Sequence, residues 1–169
     1  KLDNDLLITA LYKDNGLFDE YKEICKDIKY YFTKSEVIEK YYVNQNYNCA
    51  ETLLHAANEY YDLQISEADM KMMAGFGGGM FIGSTCGAMV GCIAALSKMV
   101  IHTKAHEELD TIRPLIQAYQ RNFKQILGAT QCVELKPKYN TTAKRCLPTC
   151  LMAGQALEKT LEEIKKEEE

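Results

Sequence analysis

The chain has 169 residues, of which 47% are hydrophobic and 26% are charged, a balance typical of a folded domain rather than of a disordered chain. Its 24 acidic residues outnumber its 20 basic residues, which gives a net charge of −4, and the basic residues are scattered along the chain. Because nucleic-acid binding requires clustered positive charge, we expect no nucleic-acid partner.

The first segment shows apolar residues at helical spacing from Leu6 to Phe32, with a polar break at residues 14–16. We therefore predict an N-terminal helical extension over residues 1–33, made of two short helices joined by a turn. The remaining residues, 34–169, are numerous enough to bury one ordinary core. They are predicted to form the main domain.

Three helix starts follow, each marked by a polar residue with an acidic residue three positions later. They begin at Thr33, Asn48 and Ser66. The second pattern makes Cys49 the first residue of its helix. The third predicts a short helix that ends at Gly75, because glycine is a common helix terminator.

The centre of the chain has 26 consecutive uncharged residues, from Met72 to Ser97, which by length alone could span a membrane. Seven glycines in this stretch make it a weak membrane insert, so we expect no membrane span. A glycine-rich loop over residues 75–83 followed by a buried helix over residues 85–100 accounts for the whole stretch. The helix would be nearly bare on one face, where Gly87 and Gly91 allow close approach of another helix.

The C-terminal part contains further helix signals. Arg113-Pro114 predicts the start of a long helix, since proline favours the first helical turn. A short turn or helix over residues 130–135 carries Cys132, a polar loop covers residues 136–144, and Pro148 predicts the start of the last helix. No segment shows a strand pattern. The predicted fold class is all-α, a compact helical bundle with a glycine-rich loop before a buried central helix.

The chain has seven cysteines, and an odd number would leave one thiol unpaired in a fully oxidised secreted domain. We therefore expect a reducing, cytoplasmic location. No Cys-x-x-Cys pair occurs, which excludes a thioredoxin-type dithiol and a zinc ribbon. A site made from these cysteines must be assembled by folding.

Five cysteines fall at or near predicted helix starts, where unpaired N–H groups and the helix dipole favour the thiolate form. Cys86 is the first choice for a low-pKa attacking thiolate. Cys25 and Cys92 lie inside predicted helices and are expected to be core residues. The five cysteines near helix starts are Cys49, Cys86, Cys132, Cys146 and Cys150.

Several segments together resemble the C_GCAxxG_C_C family, whose redox activity is inferred from its cysteines. The resemblance covers about residues 34–165 and implies that the family's four cysteines fall on Cys49, Cys86, Cys132 and Cys146. It brings no substrate or reaction. The segments that carry it are Tyr47-Asn48-Cys49-Ala50-Glu51, Gly75-Phe76-Gly77-Gly78-Gly79-Met80, Thr85-Cys86-Gly87-Ala88-Met89-Val90-Gly91, and Phe123-Lys124 with Leu127-Gly128, Cys132 and Leu135.

Two kinds of chemistry stay open for these four cysteines. They could form reversible disulfides, or they could bind zinc or an iron–sulfur cluster, with Cys150 replacing or assisting Cys146 as a ligand. The glycines before the central helix are candidate cofactor-binding residues, because backbone N–H groups there can bind an anion. A nucleotide site is disfavoured, since the Gly-Lys-Ser/Thr ending and a preceding strand are absent. These glycines are Gly77, Gly78, Gly79 and Gly87.

The predicted function is redox activity by thiol–disulfide exchange or metal-centred electron transfer, with a partner protein, a small thiol or an oxidant as reaction partner. Homo-oligomers are compatible with this prediction. The alternative is a non-enzymatic interaction module with a structural four-cysteine zinc or iron–sulfur site, in which residues 1–33 bind a partner.

Three other features are given structural interpretations. His102 and His106 share a helical face near Glu107 and could bind a metal, but an exposed helix end explains them better. His55 is expected to pair with Glu51, one helical turn away. The tyrosine pairs along the chain are expected to pack one ring each into the core.

Overall fold

The structure is a computed structural model that describes residues 35–167. These residues belong to one compact unit. The predicted extension over residues 1–33, with Cys25 in it, and the predicted helix start at Thr33 lie outside the described residues.

The described part of the chain contains helices and no strand, which confirms the all-α fold class and the compact bundle. Helix α1 ends in one turn of π-helix, Lys40–Asn44. None of the described helices combines the length and the apolar character needed to cross a membrane. Between residues 35 and 167 the seven α-helices are α1 (35–44), α2 (Cys49–Tyr61), α3 (Glu67–Met70), α4 (Gly87–Val100), α5 (Leu109–Leu127), α6 (Cys132–Tyr139) and α7 (Leu147–Glu167).

Helix α4 is the centre of the bundle, as predicted, and contacts α2, α5 and α7. Its residues Ala88, Cys92, Ala95 and Leu96 are fully or almost fully buried. Helix α5 packs against α7 on the other side, where Phe123 is also fully buried. Burial of this apolar surface is the main favourable contribution to folding.

Helices α2 and α4 approach so closely that only glycine fits between them. A Cβ atom added to Gly91 would lie 2.4 Å from the carbonyl oxygen of Ala50 and 3.0 Å from Cβ of Leu53. A Cβ atom added to Gly87 would lie 2.6 Å from Sγ of Cys49. The close helix contact that Gly87 and Gly91 predicted is therefore observed.

The open loop predicted over residues 75–83 is not confirmed. A 3₁₀-helix, Lys71–Phe76, follows α3 directly, and a turn at Gly79–Gly83 then leads to α4. Within that turn Met80 and Phe81 have φ of 56° and 60°, a left-handed conformation that side chains other than glycine rarely adopt. The glycines mark the breaks between elements, but their permissive backbone does not specify the conformation between the breaks.

Two predicted boundaries in the C-terminal half are wrong. Helix α5 begins at Leu109 rather than at Pro114, because the carboxylate of Glu108 accepts N–H groups of the preceding turn and fixes the helix start there. Helix α6 continues through Pro137 to Tyr139, into the predicted loop. The hydroxyl of Tyr139 donates a hydrogen bond of 2.9 Å to the carbonyl oxygen of Leu127, and this tertiary contact holds the end of α6.

We expect Gly91→Ala to lower the free energy of unfolding by about 1–3 kcal/mol, since the new methyl group overlaps the backbone of α2. Gly75→Ala is the matched control, because nothing lies within 4 Å of its added Cβ atom. Urea unfolding followed by circular dichroism measures both variants. Equal stability of the two variants would contradict the close packing of α2 on α4.

Candidate functional site

A pocket of about 330 Å³ is lined by four cysteines that are far apart in the sequence. It lies where the starts of α2, α4, α6 and α7 meet. Asparagines, tyrosines and two basic residues complete most of its wall. The four cysteines are Cys49, Cys86, Cys132 and Cys146, the set to which the family resemblance assigned the redox site.

The position of Cys49 is fixed by the cap of α2. The side-chain oxygen of Asn48 accepts hydrogen bonds from the N–H groups of Ala50 and Glu51 at 3.0 and 3.1 Å. The carboxylate of Glu51 accepts the N–H of Asn48 at 3.0 Å, which completes the predicted capping box. The amide of Asn48 also donates to the carbonyl oxygen of Ala74 at 3.0 Å, so the same residue ties the start of α2 to the 3₁₀-helix.

Cys86 and Cys132 are brought together by two backbone hydrogen bonds. The N–H of Cys86 donates to the carbonyl oxygen of Thr130 at 2.9 Å, and the N–H of Cys132 donates to that of Ser84 at 2.7 Å. Cys86 is the residue that precedes α4, and Cys132 is the first residue of α6. The pair of hydrogen bonds therefore joins the starts of these two helices.

Cys146 is held by the end of α1 and by the loop before α7. Its N–H donates to the hydroxyl of Tyr42 at 2.8 Å, and its sulfur accepts a hydrogen bond of 3.0 Å from the side-chain amide of Asn140. The neighbouring Arg145 donates to the carbonyl oxygen of Tyr42 at 3.1 Å and to the side chain of Asn46 at 3.0 Å.

The expected low pKa of Cys86 is wrong. Burial raises the pKa of the Cys86 thiol to about 12, with the nearby Cys49 contributing, and this outweighs the lowering by the N–H groups of Met89 and Ala88. The dipole at a helix start stabilises a charge only modestly, whereas removing a thiolate from water costs more. Cys86 is therefore a neutral thiol near pH 7.

Burial also outweighs the groups that lower the thiol pKa at the other two buried pocket cysteines. Burial raises the pKa of Cys49, and the N–H of Gly78 offsets part of that rise. Burial also raises the pKa of Cys132; the nearby Cys146 raises it further and Lys136 lowers it. Cys146 differs in exposure, since it is half-buried whereas the other five described cysteines are buried.

Cys150 and Cys92 lie outside the pocket wall. Cys150 is fully buried one turn into α7, and burial holds its pKa well above the usual range. Cys92 is fully buried in α4, where its thiol donates a hydrogen bond of 3.6 Å to the carbonyl oxygen of Ala153. Cys92 is thus the core residue that its place in the helix predicted.

Three of the four candidate glycines allow close packing, and the fourth, Gly78, lines the pocket with nothing within 4 Å of an added Cβ atom. A Cβ atom added to Gly77 would lie 2.7 Å from Cγ of Asn48. One added to Gly79 would lie 2.5 Å from the carbonyl oxygen of Ser84. Packing accounts for Gly77, Gly79 and Gly87, and a φ of 60° accounts for Gly78; the role of these glycines in binding a cofactor stays a prediction.

The described part of the chain contains no preformed set of metal-ligating side chains. Between residues 35 and 167, no three side chains of His, Cys, Asp or Glu are arranged to hold a metal ion. The predicted ligand set of Cys49, Cys86, Cys132, Cys146 and Cys150 is not confirmed. His102 and His106 lie in an exposed turn before α5, in agreement with their structural interpretation.

The predicted pairing of His55 with Glu51 is wrong, because the carboxylate of Glu51 caps α2. The His55 ring is buried and stacked between the rings of Tyr41 and Tyr47, with centroids 5.0 and 4.2 Å away. Its Nδ1 atom lies 3.7 Å from the carboxylate of Glu67. Burial lowers the pKa of His55, so the ring is neutral near pH 7.

Among the polar pocket residues that sequence reasoning missed are Lys136, Asn140, Arg145 and Thr149. Lys136 and Asn140 lie in the segment that was interpreted only as a polar loop, and Arg145 follows that segment, directly before Cys146. Thr149 follows Pro148 in the first turn of α7. The nearness of all four to a family cysteine in the sequence was the available signal.

Comparison with known proteins identifies the family of the chain. The family model described as "Putative redox-active protein (C_GCAxxG_C_C)" matches residues 47–162, more than half of the chain, and this range includes all four pocket cysteines. No curated protein and no solved structure gives a significant match. The resemblance found in the sequence is thus confirmed, and the chain belongs to the C_GCAxxG_C_C family.

Proposed function

We propose that this protein carries out thiol–disulfide exchange, with Cys146 as the thiol that reacts with an external disulfide. The observation that carries the proposal is the convergence of four cysteines on one pocket, with Cys146 the most exposed of them. An attacking thiol must be accessible, because its sulfur has to approach the disulfide in line. A reducing compartment such as the cytoplasm fits this chemistry.

The surroundings of Cys146 favour attack by its sulfur. The amide of Asn140 directs a hydrogen at the sulfur from 3.0 Å, where it stabilises negative charge and orients the atom. The backbone of Cys146 is anchored by the hydroxyl of Tyr42. The sulfur is therefore both accessible and held in a defined position.

Cys132 is the proposed resolving cysteine. The charge of Cys146 raises the pKa of both Cys132 and Cys49, while Lys136 lowers the pKa of Cys132. Lys136 would stabilise the thiolate that Cys132 must form to attack. Cys86 is more deeply buried, at 3% exposed against 8% for Cys132, and neither Cys86 nor Cys49 is assigned an external step.

The proposed reaction has two exchange steps. The Cys146 thiolate attacks one sulfur of an external disulfide; a mixed disulfide forms, the original S–S bond breaks, and the released thiolate takes up a proton. Cys132 then gives up its proton and attacks the Cys146 sulfur, forming the Cys132–Cys146 disulfide and releasing the second thiol. Two electrons pass from the protein thiols to the external disulfide.

The metal-centred alternative is weaker, because no described donor set is preformed for a metal. Metal analysis of anaerobically purified protein tests it directly. Stoichiometric zinc or iron that is lost in Cys86→Ser would contradict the exchange mechanism. Metal-free protein whose free thiols disappear in pairs on mild oxidation would support it.

We expect native alkylation with iodoacetamide at pH 8 to modify Cys146 first and Cys86, Cys92 and Cys150 only on unfolding. At a pKa of about 12 the thiolate fraction of Cys86 at this pH is roughly one in ten thousand. Mass spectrometry of peptides at timed quenches measures the order. Modification of Cys86 as fast as Cys146 would contradict both the burial argument and the choice of nucleophile.

We expect Cys146→Ala to abolish formation of a mixed disulfide with oxidised glutathione, and Cys132→Ala to accumulate it, because its second step is blocked. Intact-protein mass spectrometry detects the adduct. Cys92→Ala is the matched control, since Cys92 lies in the core and away from the pocket. Wild-type reactivity of Cys146→Ala would refute the proposed nucleophile, and rapid resolution in Cys132→Ala would refute the proposed second step.

A further inference from the structure

The pocket contains a buried hydroxyl group with no partner. Thr149 lines the pocket and is 3% exposed, and its Oγ1 atom has no hydrogen-bond partner in the protein. Burying a hydroxyl without a hydrogen bond costs free energy, so an orphaned one in a pocket wall is an indication of a polar ligand. Thr149 lies in the first turn of α7, three residues after Cys146.

The charged side chains in the pocket wall are all basic. Lys136 and Arg145 line the pocket, no Asp or Glu does, and none of the ion pairs between described residues involves either basic residue. The guanidinium of Arg145 is fixed by its hydrogen bonds to Tyr42 and Asn46 and by the Tyr42 ring, whose centroid is 4.8 Å away. The pocket is therefore positive in a chain whose net charge is −4.

The backbone adds to this positive character. Helices α2, α4, α6 and α7 all begin at residues adjacent to or within the pocket wall, and each has eight or more residues. The N-terminal ends of helices carry partial positive charge and unpaired N–H groups. Their fields add to those of Lys136 and Arg145, so negative charge in the pocket is stabilised from several sides.

We propose that the pocket binds a small disulfide that carries carboxylate groups. Lys136 and Arg145 would receive a carboxylate, and the hydroxyl of Thr149 would donate a hydrogen bond to the ligand, while the ligand's S–S bond lies next to Cys146. A volume of about 330 Å³ suits a small molecule. The inference rests on the exchange step proposed for Cys146 and adds to it the class of substrate.

The test uses three disulfides that differ in end group: dithiodipropionate with carboxylates, bis(2-hydroxyethyl) disulfide without charge, and cystamine with ammonium groups. For each disulfide, the rate of mixed-disulfide formation on the folded full chain is divided by the rate at which the same disulfide reacts with a free small thiol. This division removes differences in the intrinsic reactivity of the three disulfides. We expect dithiodipropionate to react at least about tenfold faster than cystamine, and this ratio to fall as salt screens the charges.

Two variants test whether Lys136 causes the preference for disulfides that carry carboxylates. Lys136→Gln should lower the dithiodipropionate-to-neutral rate ratio roughly two- to fivefold, the effect of one exposed charge. Lys165→Gln is the matched control. It makes the same change of charge at an exposed site of α7, about 24 Å along the helix from Thr149, and should leave the ratio unchanged. A loss of the ratio in both variants would overturn the local role of Lys136.

Thr149→Val tests the hydroxyl without changing the shape of the side chain. It should lower the same ratio roughly two- to tenfold. Because the hydroxyl has no protein partner, the free energy of unfolding should stay equal or rise. A loss of stability, or an unchanged ratio, would overturn the assignment of this hydroxyl to the ligand.

The result with the wild-type protein distinguishes the proposed exchange function from the proposed preference for carboxylates. If none of the three disulfides reacts with the folded protein, the proposed exchange function fails. If all three react at Cys146 at equal normalised rates, exchange at Cys146 stands and the preference for carboxylates is overturned. If dithiodipropionate reacts fastest and the preference is lost in Lys136→Gln and Thr149→Val, both are supported.

Discussion

The contact between α2 and α4 is the constraint on which the pocket depends. Gly87 and Gly91 carry no side chain, so the backbone of α2 reaches α4 directly, and Sγ of Cys49 lies 2.6 Å from the position that a Cβ atom of Gly87 would take. The start of α4 then binds the start of α6 through backbone hydrogen bonds, which brings Cys132 to the same place. The absence of a side chain at Gly87 and Gly91 thus determines where the cysteines meet.

Burial, rather than position on a helix, determines how these cysteines differ. The same helix-start geometry surrounds Cys49, Cys86 and Cys132, and burial raises the pKa of all three. Desolvation dominates because a thiolate loses more by leaving water than it gains from a few N–H groups. Cys146 is the pocket cysteine that is half-buried, so it is the one that can meet a disulfide from solution.

The sequence was sufficient for features whose causes are local. The cap of α2 at Asn48 and the short helix after Ser66 were predicted, because each depends on hydrogen bonds between residues three positions apart. Features that depend on tertiary contacts were missed, such as the extension of α6 to Tyr139. The orphaned hydroxyl of Thr149 was equally hidden, since a polar residue in a helix start gives no sign of whether it will find a partner.

Two residues at the Cys146 end of the pocket have strained backbone conformations. Arg145, directly before Cys146, has a φ of 49°, and its partner Asn46 has a φ of 60°, both in the left-handed region. Such conformations persist only where surrounding contacts hold them, and here Arg145 is bonded to the end of α1 through Tyr42 and Asn46. The position of the Cys146 sulfur therefore depends on the docking of α1, about a hundred residues earlier in the chain. The N-terminal side of the domain thus holds the turn that carries Cys146 near its C-terminal side.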